Sequence, residues 1–172
     1  MPTFSDLASA APKIAERIQA RIDATGLCFL GTTRSDGWPR VSGLELFVHD
    51  GRVYAGSMPN AVKMQDLRRD PRCCIITPLA DKDDMRGEGK LFCRAREVTE
   101  EAEWELIRAS FLALRGFDMG EIGGSHLFEL EVDGAAWQRV ENGDQFRTSS
   151  WSAAGGVRER ARVGALGESV DV

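Results

Sequence analysis

The apolar positions of this chain change period several times, and each change marks an element. Near the N-terminus Ile14, Ile18 and Ile22 recur at every fourth residue, which stacks them on one helical face. Ser5-Asp6 stand where a cap belongs, Lys13, Arg17 and Arg21 line a neighbouring face, and Gly26 stops the run. Pro12 has no N–H to give, so the pattern predicts one kinked helix or two short ones. Residues 27–33, 40–48 and 53–57 then read as strands of an antiparallel meander, joined at Ser35-Asp36-Gly37 and at Asp50-Gly51. The helical period returns over 61–69, with Val62, Met64 and Leu67 apolar, and Asp70-Pro71 ends it. Residues 72–78 carry a continuous apolar run, which predicts a strand buried on both faces.

A polar connection over 80–89 leads to a fifth strand at 90–98. Thr99-Glu100 open a second long helix running to about Leu114, followed by a glycine-rich loop from Gly116 to Gly124. Residues 127–132 and 137–140 are expected to pair around Asp133-Gly134, with 145–151 as a last strand. Six or seven short strands with few, peripheral helices predict a mainly β protein built as a small antiparallel barrel, not a doubly wound α/β sheet. Residues 1–152 are taken as one barrel domain with its N-terminal helix, and 153–172 as a flexible tail.

Composition narrows the function classes. The 172 residues are 42% hydrophobic and 28% charged, with a net charge of −5. A general nucleic-acid binder draws its affinity from cationic neutralisation of phosphates, so this balance argues against one. No apolar run is long enough for a transmembrane helix, and the N-terminus lacks the basic-then-apolar order of a signal peptide. Cys28, Cys73, Cys74 and Cys93 form no Cys-x-x-Cys pair, and His49 and His126 are far apart. Reduced core cysteines in a cytoplasmic protein, with no metal site, are expected.

The most informative local sequence is Tyr54-Ala55-Gly56-Ser57-Met58-Pro59-Asn60-Ala61-Val62-Lys63. There a strand ends and a helix begins, offering unpaired N–H groups and a partial positive charge. Lys63 in the first helical turn does nothing for the dipole, but it makes sense beside an anion, with Ser57 adding a hydroxyl. Arg40 opens the preceding strand, and the hairpin register is expected to bring it to the same end as Ser57. The plain alternative is a solvated lysine and a strand-end arginine. Other signals carry less. Gly116-x-x-x-Gly120-x-x-Gly123-Gly124 follows a helix and not a strand, so it lacks the dinucleotide-binding context. Asp81, Asp83, Asp84 and Glu88 miss the spacing of a calcium loop. Arg158, Arg160 and Arg162 read as a solvated tail.

The stretch Gly37-Trp38-Pro39-Arg40-Val41-Ser42-Gly43 resembles the pyridoxamine 5′-phosphate oxidase-like family. So do Asp50 to Ser57 and the element Lys63-x-x-x-Leu67-x-Arg69-Asp70-Pro71-Arg72. The resemblance covers roughly residues 25–152. It implies a six- to seven-stranded split β-barrel that holds flavin (FMN), or alternatively a deazaflavin coenzyme, at a homodimer interface. It implies that Arg40, Val41, Ser42 and Gly43 line the ring, that Tyr54, Ser57 and Met58 flank the ribityl chain, and that Lys63 with Arg40 holds the phosphate. Trp151 is the candidate aromatic brought from the second subunit. The oxidase proper has a lysine where this chain has Glu45, and a tyrosine, arginine and serine that grip a substrate phosphate. Here the single tyrosine is Tyr54. The resemblance therefore implies a relative of the oxidase and not the oxidase itself, an FMN oxidoreductase with a small organic substrate. A non-catalytic flavin- or heme-binding protein is the reading from another class, with His49, His126, a cysteine or a methionine as the heme ligand.

Overall fold

The computed structural model of the chain describes residues 1–79, 87–164 and 166–172. It opens on α1 (Phe4–Ala10) and α2 (Pro12–Thr25), so Pro12 separates two helices by starting the second at its first turn. Thr3, not Ser5, caps α1: its hydroxyl accepts from the N–H of Asp6, whose carboxylate accepts in turn from Thr3. Gly26 ends α2 at φ 66°, a left-handed conformation that needs a residue without Cβ.

Six strands close into a barrel. These are β1 (Leu27–Thr33), β2 (Pro39–His49), β3 (Arg52–Ser57), β4 (Arg72–Ile76), β5 (Glu88–Glu97) and β6 (His126–Glu141). The order is β3-β2-β1-β4-β5-β6, and β3 also pairs with β6 to seal the ring. Asp50 and Gly51 both take positive φ at the β2–β3 hairpin, as a two-residue turn of matching twist requires. The barrel interior is filled by residues such as Leu30, Leu46, Val53, Ile75, Leu91 and Leu130, with α1 and α2 adding Leu7, Ile18 and Ile22. On the outside, α4 (Glu101–Arg115) lays Trp104, Ile107 and Phe111 over Phe47, Tyr54 and Leu127. The short α3 (Val62–Arg69) joins β3 to β4 and buries Met64, Asp66 and Leu67.

Three sequence expectations change. Asp133-Gly134 is not a hairpin turn. β6 runs through it for 16 residues, and the register against β5 slips between Phe92 and Cys93 to absorb the extra residue. A bulge uses the same residues as a turn, which is why the local sequence misleads. The chain reverses instead at Asn142-Gly143, both at positive φ. β4 is buried on one face only: Ile75 is covered, whereas Cys74 is exposed. The segment 153–172, expected to be a flexible tail, instead pairs along β7 (Gln145–Ser152) as β8 (Gly156–Val163), with β9 (Val170–Asp171) beyond it. The acidic run at Asp81, Asp83 and Asp84 lies outside the described residues.

Candidate functional site

β3 pairs with β2 only through Leu46 to His49, so residues 41–45 of β2 have a strand neighbour, β1, on one side alone. Side chains alternate along this half-open segment. Arg40, Ser42 and Leu44 turn to the inner side, while Val41 (71% exposed), Gly43 and Glu45 face outward. The backbone alternates as well, because the N–H and C=O of one residue in an antiparallel strand point to the same side. Lys63 Nζ donates to the Gly43 carbonyl at 2.8 Å, which marks the odd-numbered residues as those whose backbone groups face the open side. A flat heterocycle laid along this edge meets N–H donors and C=O acceptors in sequence.

Lys63 reaches the edge from the first turn of α3, where Ala61 leaves the helix without a side-chain cap. Partial burial pushes its ammonium pKa down. One of its three protons is spent on Gly43, and two remain for a ligand. Three residues on, Asp66 is almost fully buried and gathers its own partners. Arg40 Nε donates to it at 2.6 Å, the Thr32 hydroxyl at 3.0 Å and Arg69 Nη2 at 3.1 Å. Burial by itself raises the Asp66 carboxyl, but the hydrogen bonds from Arg40, Thr32 and Arg69 outweigh it and hold the pKa below the usual carboxylate value. Arg69 also bonds the Thr33 carbonyl. Lys63 in the first turn of α3, Arg69 at its end and Arg40 from β2 stand against the one carboxylate of Asp66, a positive balance of the kind an anion requires.

The sequence grouped Arg40 with Ser57, and the structure separates them. Arg40 stands opposite Thr32 of β1 and is tied to α3, whereas Ser57 pairs with His126 of β6. Tyr54, expected beside the cofactor, is 3% exposed under α4, stacked on Phe47 with ring centroids 5.5 Å apart. Its phenol pKa is raised, chiefly by burial and then by Glu129. Trp151 is buried in the barrel's apolar cluster on β7, which is separated from β2 around the closed ring by β6 and β3. Met58 is 78% exposed and Ser57 half-buried, and both face the β2 edge across a cleft.

That cleft was not read from the sequence. It has a volume of about 340 Å³ and is walled by Glu45, Ser57, Met58, Phe111, Phe117 and Met119, with Ser125 at its back. The glycine-rich loop forms its outer wall. Trp104 Nε1 donates to the Gly120 carbonyl at 3.1 Å, and Arg108 pairs with Asp118 at 2.7 Å, so the loop is pinned to α4. The signal available in the sequence was Phe117 and Met119, two large apolar residues in a stretch otherwise too glycine-rich to bury them.

Both histidines are engaged within the chain. Asn60 N–H donates to His126 Nε2 at 3.1 Å, and His126 Nδ1 lies 3.2 Å from Arg68 Nη2 and 3.4 Å from Glu97 Oε1. His49 Nε2 lies 3.4 Å from the Ser110 hydroxyl.

An open-edged barrel, a cationic patch around α3 and an adjacent apolar cleft define a split-barrel protein with a candidate site on its outer strands. The family model described as pyridoxamine 5′-phosphate oxidase matches residues 14–138, and the chain belongs to that family. Solved structures agree on the fold. A Clostridium acetobutylicum protein related to general stress protein 26 of Bacillus subtilis, of the pyridoxinephosphate oxidase family, superposes with a TM-score of 0.62 at 10% identity, over 83% of this chain and 96% of that one. ChuZ of Campylobacter jejuni gives 0.68 at 15% identity, over 91% of this chain and 65% of its own. A heme binding protein from Mycobacterium smegmatis gives 0.55 at 16% identity, over 87% and 88%. Among curated proteins, none matches this sequence.

Proposed function

We propose that this chain is a homodimeric, FMN-binding oxidoreductase acting on a small organic molecule. The observation that carries the reading is the open β2 edge, with Lys63 on its Gly43 carbonyl and Arg40, tied to Asp66 and Arg69, at its end. A phosphate dianion fits the cationic end. A tricyclic ring with polar atoms on one rim fits the edge, where Gly43 adds no bulk. When bound, the flavin supplies the hydride or electron transfer, and the chain's own residues need only bind, orient and exclude water. Val41 and Gly43 support one face of the ring, Lys63 and Arg40 hold the phosphate, and Ser57 and Met58 line the path between. A deazaflavin coenzyme, with a longer anionic tail, is the alternative occupant of the same edge. The engagement of His49 and His126 favours a flavin over heme.

The dimer has a physical motive. Cross-strand pairing aligns Phe29 with Gly43, Gly31 with Val41 and Cys74, and Cys74 with Phe92, so one outer face carries Phe29, Val41, Cys74 and Phe92 in adjoining rows. All four are exposed, and Leu27 extends the patch. An apolar face of this kind beside a shallow edge calls for a covering surface, and a second copy closes the ring pocket.

Two measurements test the reading. Titration of the purified protein with FMN, followed by flavin fluorescence, is expected to give micromolar or tighter binding. Binding of the reduced deazaflavin coenzyme alone transfers the protein to the alternative, and binding of neither ends both. The dimer is read at Cys74. Its thiol is expected to react slowly with an aromatic disulfide reagent at high protein concentration and quickly on dilution below the dimer's Kd. A rate that is fast at every concentration, from a particle of monomer mass, refutes the covered face.

A further inference from the structure

We propose that the cleft between α4 and the β3–α3 loop takes a small aromatic or apolar molecule carrying a protonated amine, with Glu45 as its counter-ion. As a statement of substrate class it rests on the flavin reading, because the cleft opens beside the β2 edge through Glu45.

The walls are aromatic and thioether: Phe111 and Phe117 from α4 and its loop, Met119 beyond them, and Met58 with Pro59 opposite. Such walls bury a planar ring, and aromatic faces also attract a cation. The polar side chains of the cleft are Glu45, Ser57 and Ser125, and of these Glu45 alone carries a charge. Ser125 donates its hydroxyl proton to the Met119 carbonyl at 2.7 Å, so toward the cleft it offers lone pairs only. Glu45 is a carboxylate on the outward face of β2, two residues from the Gly43 carbonyl that Lys63 occupies. Among the described residues no cation stands within 4.0 Å of Glu45, and no Lys, Arg or His lines the cleft. Glu131 of β6 is likewise without an ion pair among the described residues, but it is buried and lies outside the cleft, so Glu45 is the cleft's own acid. Asp66, Glu97, Glu103 and Glu129 each hold an arginine. An unpaired carboxylate against a low-polarity wall strengthens a bound ammonium and rejects a bound anion. Volume sets the size: about 340 Å³ admits one or two fused rings with a short substituent.

The test uses a pair of probes of like shape and opposite charge, 1-naphthylmethylamine and 1-naphthoate, titrated at neutral pH into the whole protein with and without FMN. The amine is expected to bind about tenfold more tightly than the acid. Glu45→Gln is expected to bring the two within roughly threefold, and Glu45→Lys to reverse the order. Thermal melts of both variants confirm that they fold. Equal binding of the two probes, tighter binding of the naphthoate, or an amine preference untouched by Glu45→Gln overturns the proposal. Selective amine binding by a protein that fails to bind FMN keeps the cleft and removes the flavin reading. FMN binding without amine selectivity does the reverse.

Discussion

Asp66→Ala is expected to cost about 3–5 kcal/mol of folding stability. Asp66 is 2% exposed and accepts from Arg40, Thr32 and Arg69. Removing the carboxylate leaves Arg40, which is only 30% exposed, without the acid that it pairs with. A buried charge without its partner is far more costly than the intact pair is stabilising. Chemical denaturation measures the loss, and the double variant Asp66→Ala/Arg40→Ala separates the causes. If the stranded charge dominates, removing Arg40 as well recovers much of the stability. A loss below about 1 kcal/mol for the single variant means that water reaches the cluster.

The same pair has a pH signature. The folded-state pKa of Asp66 lies below the ordinary carboxylate value. Its contribution is therefore fully present above the unfolded-state pKa and is lost as pH falls through the folded one. Acid titration of the wild type is expected to show this loss, and Asp66→Asn is expected to lack it. An unchanged acid limb in Asp66→Asn assigns the acid sensitivity to other carboxylates.

What the sequence made legible was the local part of this design. The period of Ile14, Ile18 and Ile22 places α2, and Asp50-Gly51 places the β2–β3 turn, because both signals are complete within a few residues. Lys63 stood out as a cation at the wrong end of a helix, and its position against β2 gives it a physical reason. Asp66 was silent. Its partners Arg40 and Thr32 lie 26 and 34 residues away, and nothing in a helix reading distinguishes it from a solvated acid. Tyr54 misled for a related reason: alternation along β3 puts it on the outer face, but only the return of α4 decides whether that face is open or covered. The cleft was illegible because its walls come from β2, the β3–α3 loop and α4, which no single window contains. Arg158, Arg160 and Arg162 looked like tail because charged residues alternate there. The same alternation suits β8, whose Ala161 is buried between them.

Lys63→Ala is expected to weaken FMN binding by about 1.5–3 kcal/mol, roughly ten- to 150-fold, the scale of a charge-assisted hydrogen bond lost from a partly desolvated site. Partial burial has already stripped some water from this ammonium, which lowers its pKa and leaves less hydration to lose when an anion arrives. Its existing bond to the Gly43 carbonyl fixes the nitrogen at the strand edge, so little side-chain freedom is spent on binding. Lys63→Arg keeps the charge but carries a broader head that does not fit the same carbonyl, and it is expected to recover only part of the affinity. Fluorescence titration reads both, and thermal melts of the FMN-free variants separate binding from folding. The half-exposed bond to Gly43 contributes little stability, so the FMN-free proteins are expected to melt close to the wild type. If FMN affinity is unchanged in Lys63→Ala, the phosphate does not lie at the start of α3, and the Arg40–Asp66–Arg69 cluster is a structural pin for that helix and nothing more.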